Sequence, residues 1–142
     1  MHEKQYAIFS LDKEQYGIDI LKVREINRLK QITITKVPKV PDFIEGIINL
    51  RGEAVPIINL RKKIGVVPKG ITKLSRAIIV NIDEMTVGIL VDEIICVESF
   101  NEMDMVNSLE EIKVNHEYII EIGKKEKRMI FMLDIEKLIK GK

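Results

Sequence analysis

Apolar and polar positions alternate in short runs along this chain, and few stretches sustain a helical period. Residues 6–11 alternate loosely, Asp12-Lys13-Glu14 is a polar turn, and residues 15–20 return as a second run; together they predict a β-hairpin. Leu21, Val23 and Ile26 fit either period, so this piece reads as a short helical turn running into a strand. Residues 32–35 are β-prone. Val37-Pro38-Lys39-Val40-Pro41 is extended, because its prolines exclude a helix interior. Two apolar runs follow, 47–50 and 54–58, on either side of Arg51-Gly52-Glu53. They predict two buried strands and a tight turn in which Gly52 takes φ > 0. Arg51 is thereby held at a strand end, where its planar fork can reach an acidic partner. Asn59 is placed to cap a short helix over 60–64. Residues 66–75, with Pro68 and Gly70, read as a linker. Strands are predicted over 76–82 and 85–91, with 92–100 continuing β-like. Residues 101–115 read as a loop with one helical turn. A hairpin pairs 118–122 with 128–133 around a turn at 123–127, and Asp134 caps a last helix over 135–139.

The second half echoes the first. Shifted by 71 residues, Ile8-Phe9-Ser10-Leu11-Asp12 falls on Ile79-Val80-Asn81-Ile82-Asp83, and Tyr16-Gly17-Ile18-Asp19-Ile20 falls on Val87-Gly88-Ile89-Leu90-Val91. Shifted by 75, residues 55–64 fall on 130–139, each a strand, an Asn or Asp cap and a short helix. Two matches in the same order indicate duplication. A single domain over 1–142 is expected, built from two β units at about 6–65 and 76–140 joined by 66–75. Units this small bury too little apolar surface to stand alone. They are expected to pack together with a groove between them, a common place for a ligand or partner. Exchange of strands between the units stays open.

Composition narrows the function. The chain has 142 residues, 46% hydrophobic, enough for one compact domain. Its 23 basic and 22 acidic residues leave a net charge of +1, too weak a field to hold nucleic acid or an anionic membrane. Aromatics are 5% with no Trp, so bases find few stacking platforms. A small nucleic-acid-binding β-barrel is therefore the weaker alternative. The lone Cys96 cannot form an intrachain disulfide and reads as a small core residue in a reducing, cytoplasmic setting. The N-terminus lacks the apolar core of a signal peptide, and no apolar run approaches a membrane span. His2, His116 and Cys96 have no metal-site spacing. Gly65, Gly70 and Gly88 stand singly, with no phosphate loop. Ser10, Ser75, Ser99 and Ser108 sit in no nucleophile elbow. The acidic pairs Asp92-Glu93 and Glu110-Glu111 read as solvated surface. No enzyme, cofactor or metal is expected.

The segment from Tyr16-Gly17-Ile18-Asp19-Ile20 to Glu25-Ile26, the run Pro41-Asp42-Phe43-Ile44-Glu45-Gly46, the turn Ile48-Asn49-Leu50-Arg51-Gly52, the strand Val55-Pro56-Ile57-Ile58-Asn59-Leu60-Arg61 and Val87-Gly88-Ile89-Leu90-Val91-Asp92 together resemble the CheW family of chemotaxis coupling proteins. The likeness runs from about 6 to 139; Asn59 stands where the family often has Asp. The resemblance implies a mostly β fold of two similar five-stranded SH3-like barrels packed together, with short helices. It implies a non-enzymatic adaptor joining transmembrane chemoreceptors to the regulatory domain of the histidine kinase CheA, cytoplasmic and recruited to receptor arrays. Carried over residue by residue, the receptor-facing positions are Val23, Glu25, Gly46, Arg51 and Gly52, with Ile44 adding apolar contact beside Val23. A helical receptor tip would lay its apolar ridge against them. Arg51 would hydrogen-bond a receptor carboxylate or carbonyl. Glu25 would orient Arg51 or meet a cation, and Gly46 would allow close backbone approach. The kinase-facing positions are Val87, Gly88 and Leu90, with a second contact near 103–112 that includes Leu109. Exposed Met103, Met105 or Leu109 would be adaptable anchors there, with Met105 and Val106 the better core candidates.

Overall fold

The structure, a computed structural model, describes residues 3–29, 34–106 and 118–140. Among the described residues, eleven strands and two short α-helices follow one another: β1 (Lys4–Leu11), β2 (Glu14–Asp19), β3 (Val23–Arg28), β4 (Ile44–Leu50), β5 (Glu53–Asn59), α1 (Leu60–Ile64), β6 (Arg76–Ile82), β7 (Met85–Val91), β8 (Glu93–Phe100), β9 (Met105–Val106), β10 (Ile119–Lys125), β11 (Arg128–Leu133) and α2 (Ile135–Lys140). The ambiguous piece around Leu21 resolves as one 3-10 turn, Ile20–Lys22, feeding β3. The proline stretch is not simply extended. It turns at 38–40, where Lys39 takes φ 61°. The last hairpin also has a tighter turn than its composition suggested. Its strands run to Lys125 and from Arg128, so only Glu126 and Lys127 lie between them.

The chain forms two compact units, and neither is a half of the sequence. One is continuous, Lys22–Ile94; the other joins the two ends, Met1–Leu21 and Ile95–Lys142. The stretch 66–75 therefore lies inside the continuous unit. The continuous unit holds a five-stranded sheet in the order β3-β6-β7-β5-β4, and the terminal unit a six-stranded one, β8-β1-β2-β11-β10-β9. The sixth strand is the two-residue β9, which pairs at Gly123 and Ile122.

Strand pairing explains this division. The hairpin β1–β2 of the first repeat takes β11 of the second as a parallel neighbour, Met132 opposite Gly17. The hairpin β6–β7 of the second repeat takes β5 of the first, Ile57 opposite Gly88. These are the same pair of positions under the two sequence shifts. Both pairs pack closely over a glycine: a Cβ on Gly17 would meet Met132 Sδ at 2.6 Å, and one on Gly88 would meet Ile57 Cδ1 at 2.4 Å, so either side chain would have to shift. In the continuous unit Leu29, Ile48, Leu50, Val55, Ile57, Ala77, Ile79 and Leu90 form a core cluster, each larger aliphatic contributing about 1.5–3 kcal/mol on full burial. In the terminal unit Tyr6, Ile8, Phe100, Ile130 and Met132 cluster, with Cys96 and Met105 packed against them.

Candidate functional site

The turn between β4 and β5 sits where the sequence placed it. Arg51 and Gly52 take φ 51° and 85°, the left-handed pair that a two-residue hairpin of the I′ type requires. Asn49 Oδ1 accepts the Gly52 N–H at 2.9 Å and closes the turn. The sheet curls so that this turn, at one edge, reaches β3 at the other. Arg51 Nη2 donates to Glu25 Oε2. Beside it, Arg24 Nη1 donates to Glu53 Oε1 at 3.1 Å, with Arg24 Nε 3.9 Å from Glu25 Oε2. Two cations and two carboxylates are thus crossed between strand and turn. A bulge in β3 between Val23 and Glu25 aims the adjacent residues Arg24 and Glu25 at this cluster. The Arg24 hydrogen bond, then one from Thr86, holds the Glu53 carboxyl below its ordinary range.

The Arg51 side chain is 63% exposed. Exposed ion pairs of this kind contribute only about 0–1 kcal/mol, so the pairing orients Arg51 more than it stabilises the fold. Among the described residues Glu25 alone accepts a hydrogen bond from its guanidinium, which leaves further N–H donors for a partner. Arg128 offers the contrast. It grips both oxygens of Glu98 at 3.0 and 2.9 Å and also donates to Gln15 Oε1 at 3.0 Å, so all its nitrogens are occupied within the fold.

The other expected receptor-facing positions lie in the same unit. Val23 and Ile44 are half-buried, opposite Val80 and Ile58. Gly46 is buried, and its close approach is to its own chain. At φ 153° it lies under residues 34–35, and a Cβ would meet Thr35 O at 2.3 Å. There it seats the Thr35–Ile47 bridge. The kinase-facing positions require a larger correction. Val87 is 4% and Leu90 7% exposed, because β7 runs through the middle of its sheet between β6 and β5. Gly88 is covered by Ile57. These three support a surface from beneath and do not form one. Leu109 lies outside the described residues. Met103 is 83% exposed, whereas Met105 packs on the Tyr6 and Phe100 cluster.

Two features escaped the sequence reading. Arg61, on the short helix α1, is only 4% exposed. It holds Asp92 through Nε at 2.9 Å and Nη2 at 2.5 Å while Nη1 donates to Val67 O at 2.6 Å. Asp92 is therefore no solvated carboxylate, and the clamp ties the stretch after α1 to the end of β7. Nothing local signals it, because the two residues are far apart in sequence. The second, which the sequence left open, is the pairing of each repeat's hairpin with the other repeat's strand. Among the described residues, no three His, Cys, Asp or Glu side chains gather as metal ligands, and no helix is long and apolar enough to cross a membrane.

A family model described as the CheW-like domain matches residues 5–142. The chain belongs to the CheW-like family. Its relatives include the chemotaxis protein CheW of Klebsiella aerogenes, 38% identical over 138 residues, covering 96% of this chain and 81% of that protein. The chemotaxis protein CheW of Treponema pallidum is 33% identical over 143 residues, 97% and 83% of the two chains. Among solved structures, the scaffolding protein TtCheW of Thermoanaerobacter tengcongensis superposes with a TM-score of 0.86 at 36% identity, covering 96% of this chain and 92% of that one. The CheW family consists of non-enzymatic chemotaxis scaffolds, and the mostly β fold with two sheets and short helices agrees with that membership.

Proposed function

We propose that this chain is a cytoplasmic adaptor that couples transmembrane chemoreceptors to the histidine kinase CheA in receptor arrays, with Arg51 as the anchor of its receptor face. The observation that carries this reading is the half-committed guanidinium. One nitrogen of Arg51 is oriented by Glu25 while the side chain stays 63% exposed, so a charge-assisted hydrogen bond is available to a partner. Gly52 shapes the turn, and Val23 and Ile44 add apolar contact along the edge strands β3 and β4. Gly46 contributes by holding the 34–35 segment in place. Kinase contact is proposed separately, at exposed Met103 and at Leu109.

The test measures binding to a soluble helical-hairpin fragment of a receptor signalling tip and, in parallel, to the kinase regulatory domain. Wild type is expected to bind both. Arg51→Glu is expected to lose the receptor fragment by roughly tenfold or more, as truncating a charged hydrogen bond does, while retaining the kinase domain. A wild-type chain that binds neither would reject the coupling role.

A further inference from the structure

We infer that the receptor face extends to a neutral pocket at the root of the β4–β5 turn, which seats one apolar side chain of a helix whose neighbouring carboxylate meets Arg51. The inference rests on receptor docking at Arg51 and adds a second, specificity-determining contact to it.

The pocket follows from strand alternation. Ile48, Leu50 and Val55 point into the core of their unit. Ile47 and Asn49, and Ala54 opposite Asn49, therefore face outward. A third wall is added because Thr35 exchanges both backbone hydrogen bonds with Ile47, each at 2.8 Å, which lays residues 35–37 alongside β4. Thr35, Val37, Ile47, Asn49, Gly52 and Ala54, with Ile48 behind them, then line an open pocket of about 320 Å³. That is the low end of the range for ligand pockets, about 300–1,000 Å³, and suits a side chain better than a cofactor.

Its chemistry selects the partner. No titratable side chain lines the pocket. Exposed cations neighbour its lining in the chain: Lys36 between the lining residues Thr35 and Val37, Lys39 two residues after Val37, and Arg51 next to the lining residue Gly52. The adjacent acid, Glu53, is engaged by Arg24. Asn49 spends its Oδ1 on the Gly52 N–H, and its amide nitrogen has no acceptor among the described residues, so a donor remains at the wall. An apolar centre with a cationic rim and a free amide donor is complementary to an acidic, amphipathic surface. Gly52 lines the pocket and follows Arg51 directly, so the two contacts belong to neighbouring residues of one turn. An apolar residue and a carboxylate on one helix face are the matching pair.

The test uses the full chain with Ala54→Leu, which fills the pocket from an exposed position, and Val37→Asp, which places a carboxylate in it. Arg51→Glu is run beside them, with the receptor fragment and the kinase regulatory domain as probes and thermal unfolding as the check on folding. Both pocket variants are expected to weaken receptor binding by about tenfold while the kinase domain binds as in wild type. Unchanged receptor affinity in a folded pocket variant, with Arg51→Glu still defective, overturns the pocket and leaves the receptor reading intact. Loss of the kinase domain in place of the receptor assigns the pocket to the wrong partner and overturns it equally. If Arg51→Glu binds receptor as wild type does, the receptor reading itself fails.

Discussion

Arg51 occupies a backbone position that does not suit it. At φ 51° an L-residue with a long side chain gives up roughly 1 kcal/mol, whereas Asn before Gly is the favoured pair for this turn. A residue kept against local preference is a functional candidate. Arg51→Asn is accordingly expected to hold or raise the melting temperature while removing receptor-fragment binding; scanning calorimetry and a binding titration on the same sample separate the two effects. A lowered melting temperature would mark Arg51 as a structural residue. Asn59 carries a similar lesson. It caps α1 by accepting the Lys62 N–H and donates Nδ2 to Glu45 Oε1 at 2.7 Å. Asp would keep the cap but set a second carboxylate against Glu45, which accounts physically for the amide here. The capping role was legible in the sequence, because Asn before a short helix is a local signal. The Glu45 contact was not, because it depends on β4 lying beside α1's first turn.

Among the elements, the edge strand β8 is tied down by charge. Glu98 on β8 meets Arg128 at the start of β11, Arg128 also reaches Gln15 on β2, and Lys125 at the end of β10 lies 3.8 Å from Glu98. The Arg128 hydrogen bonds hold the Glu98 carboxyl below its ordinary value of 4.5. A carboxylate with a depressed folded pKa adds stability that is complete above the unfolded value and disappears as pH falls through the folded one. Stability should therefore decline on acidification below about 4.5, and Glu98→Gln should flatten that decline. Urea midpoints across a pH series check it; an unchanged acid limb would assign the loss to other carboxylates. Strands and hairpins were the most readable elements, since alternation and turn residues are local. Readings that needed a position within a sheet were less secure. Val87 and Leu90 look like members of any apolar strand, and only the placement of β7 between β6 and β5 makes them interior.

For the whole molecule, the repeat was visible but its consequence was not. Two matching segments reveal duplication without saying which copy pairs with which. Here Gly17 faces Met132 and Gly88 faces Ile57, so each unit combines a hairpin from one repeat with a strand from the other. This pairing predicts action at a distance along the chain. Met132→Asp is expected to strip hydrogen-exchange protection from the β1–β2 hairpin, at the far end of the sequence. Retained protection there would contradict the parallel β2–β11 pairing. The same pairing also orders events during synthesis. A ribosome delivers every strand of the continuous unit before it reaches Arg128, so that unit can close while the chain is still growing. The β1–β2 hairpin must wait for β11. During that interval Ile8, Phe9 and Ile18, fully buried in the finished protein, lack the β11 neighbour that completes their sheet. The β1–β2 hairpin thus stays without its parallel neighbour while β3 to β10 are made, an interval in which its apolar strands are open to aggregation.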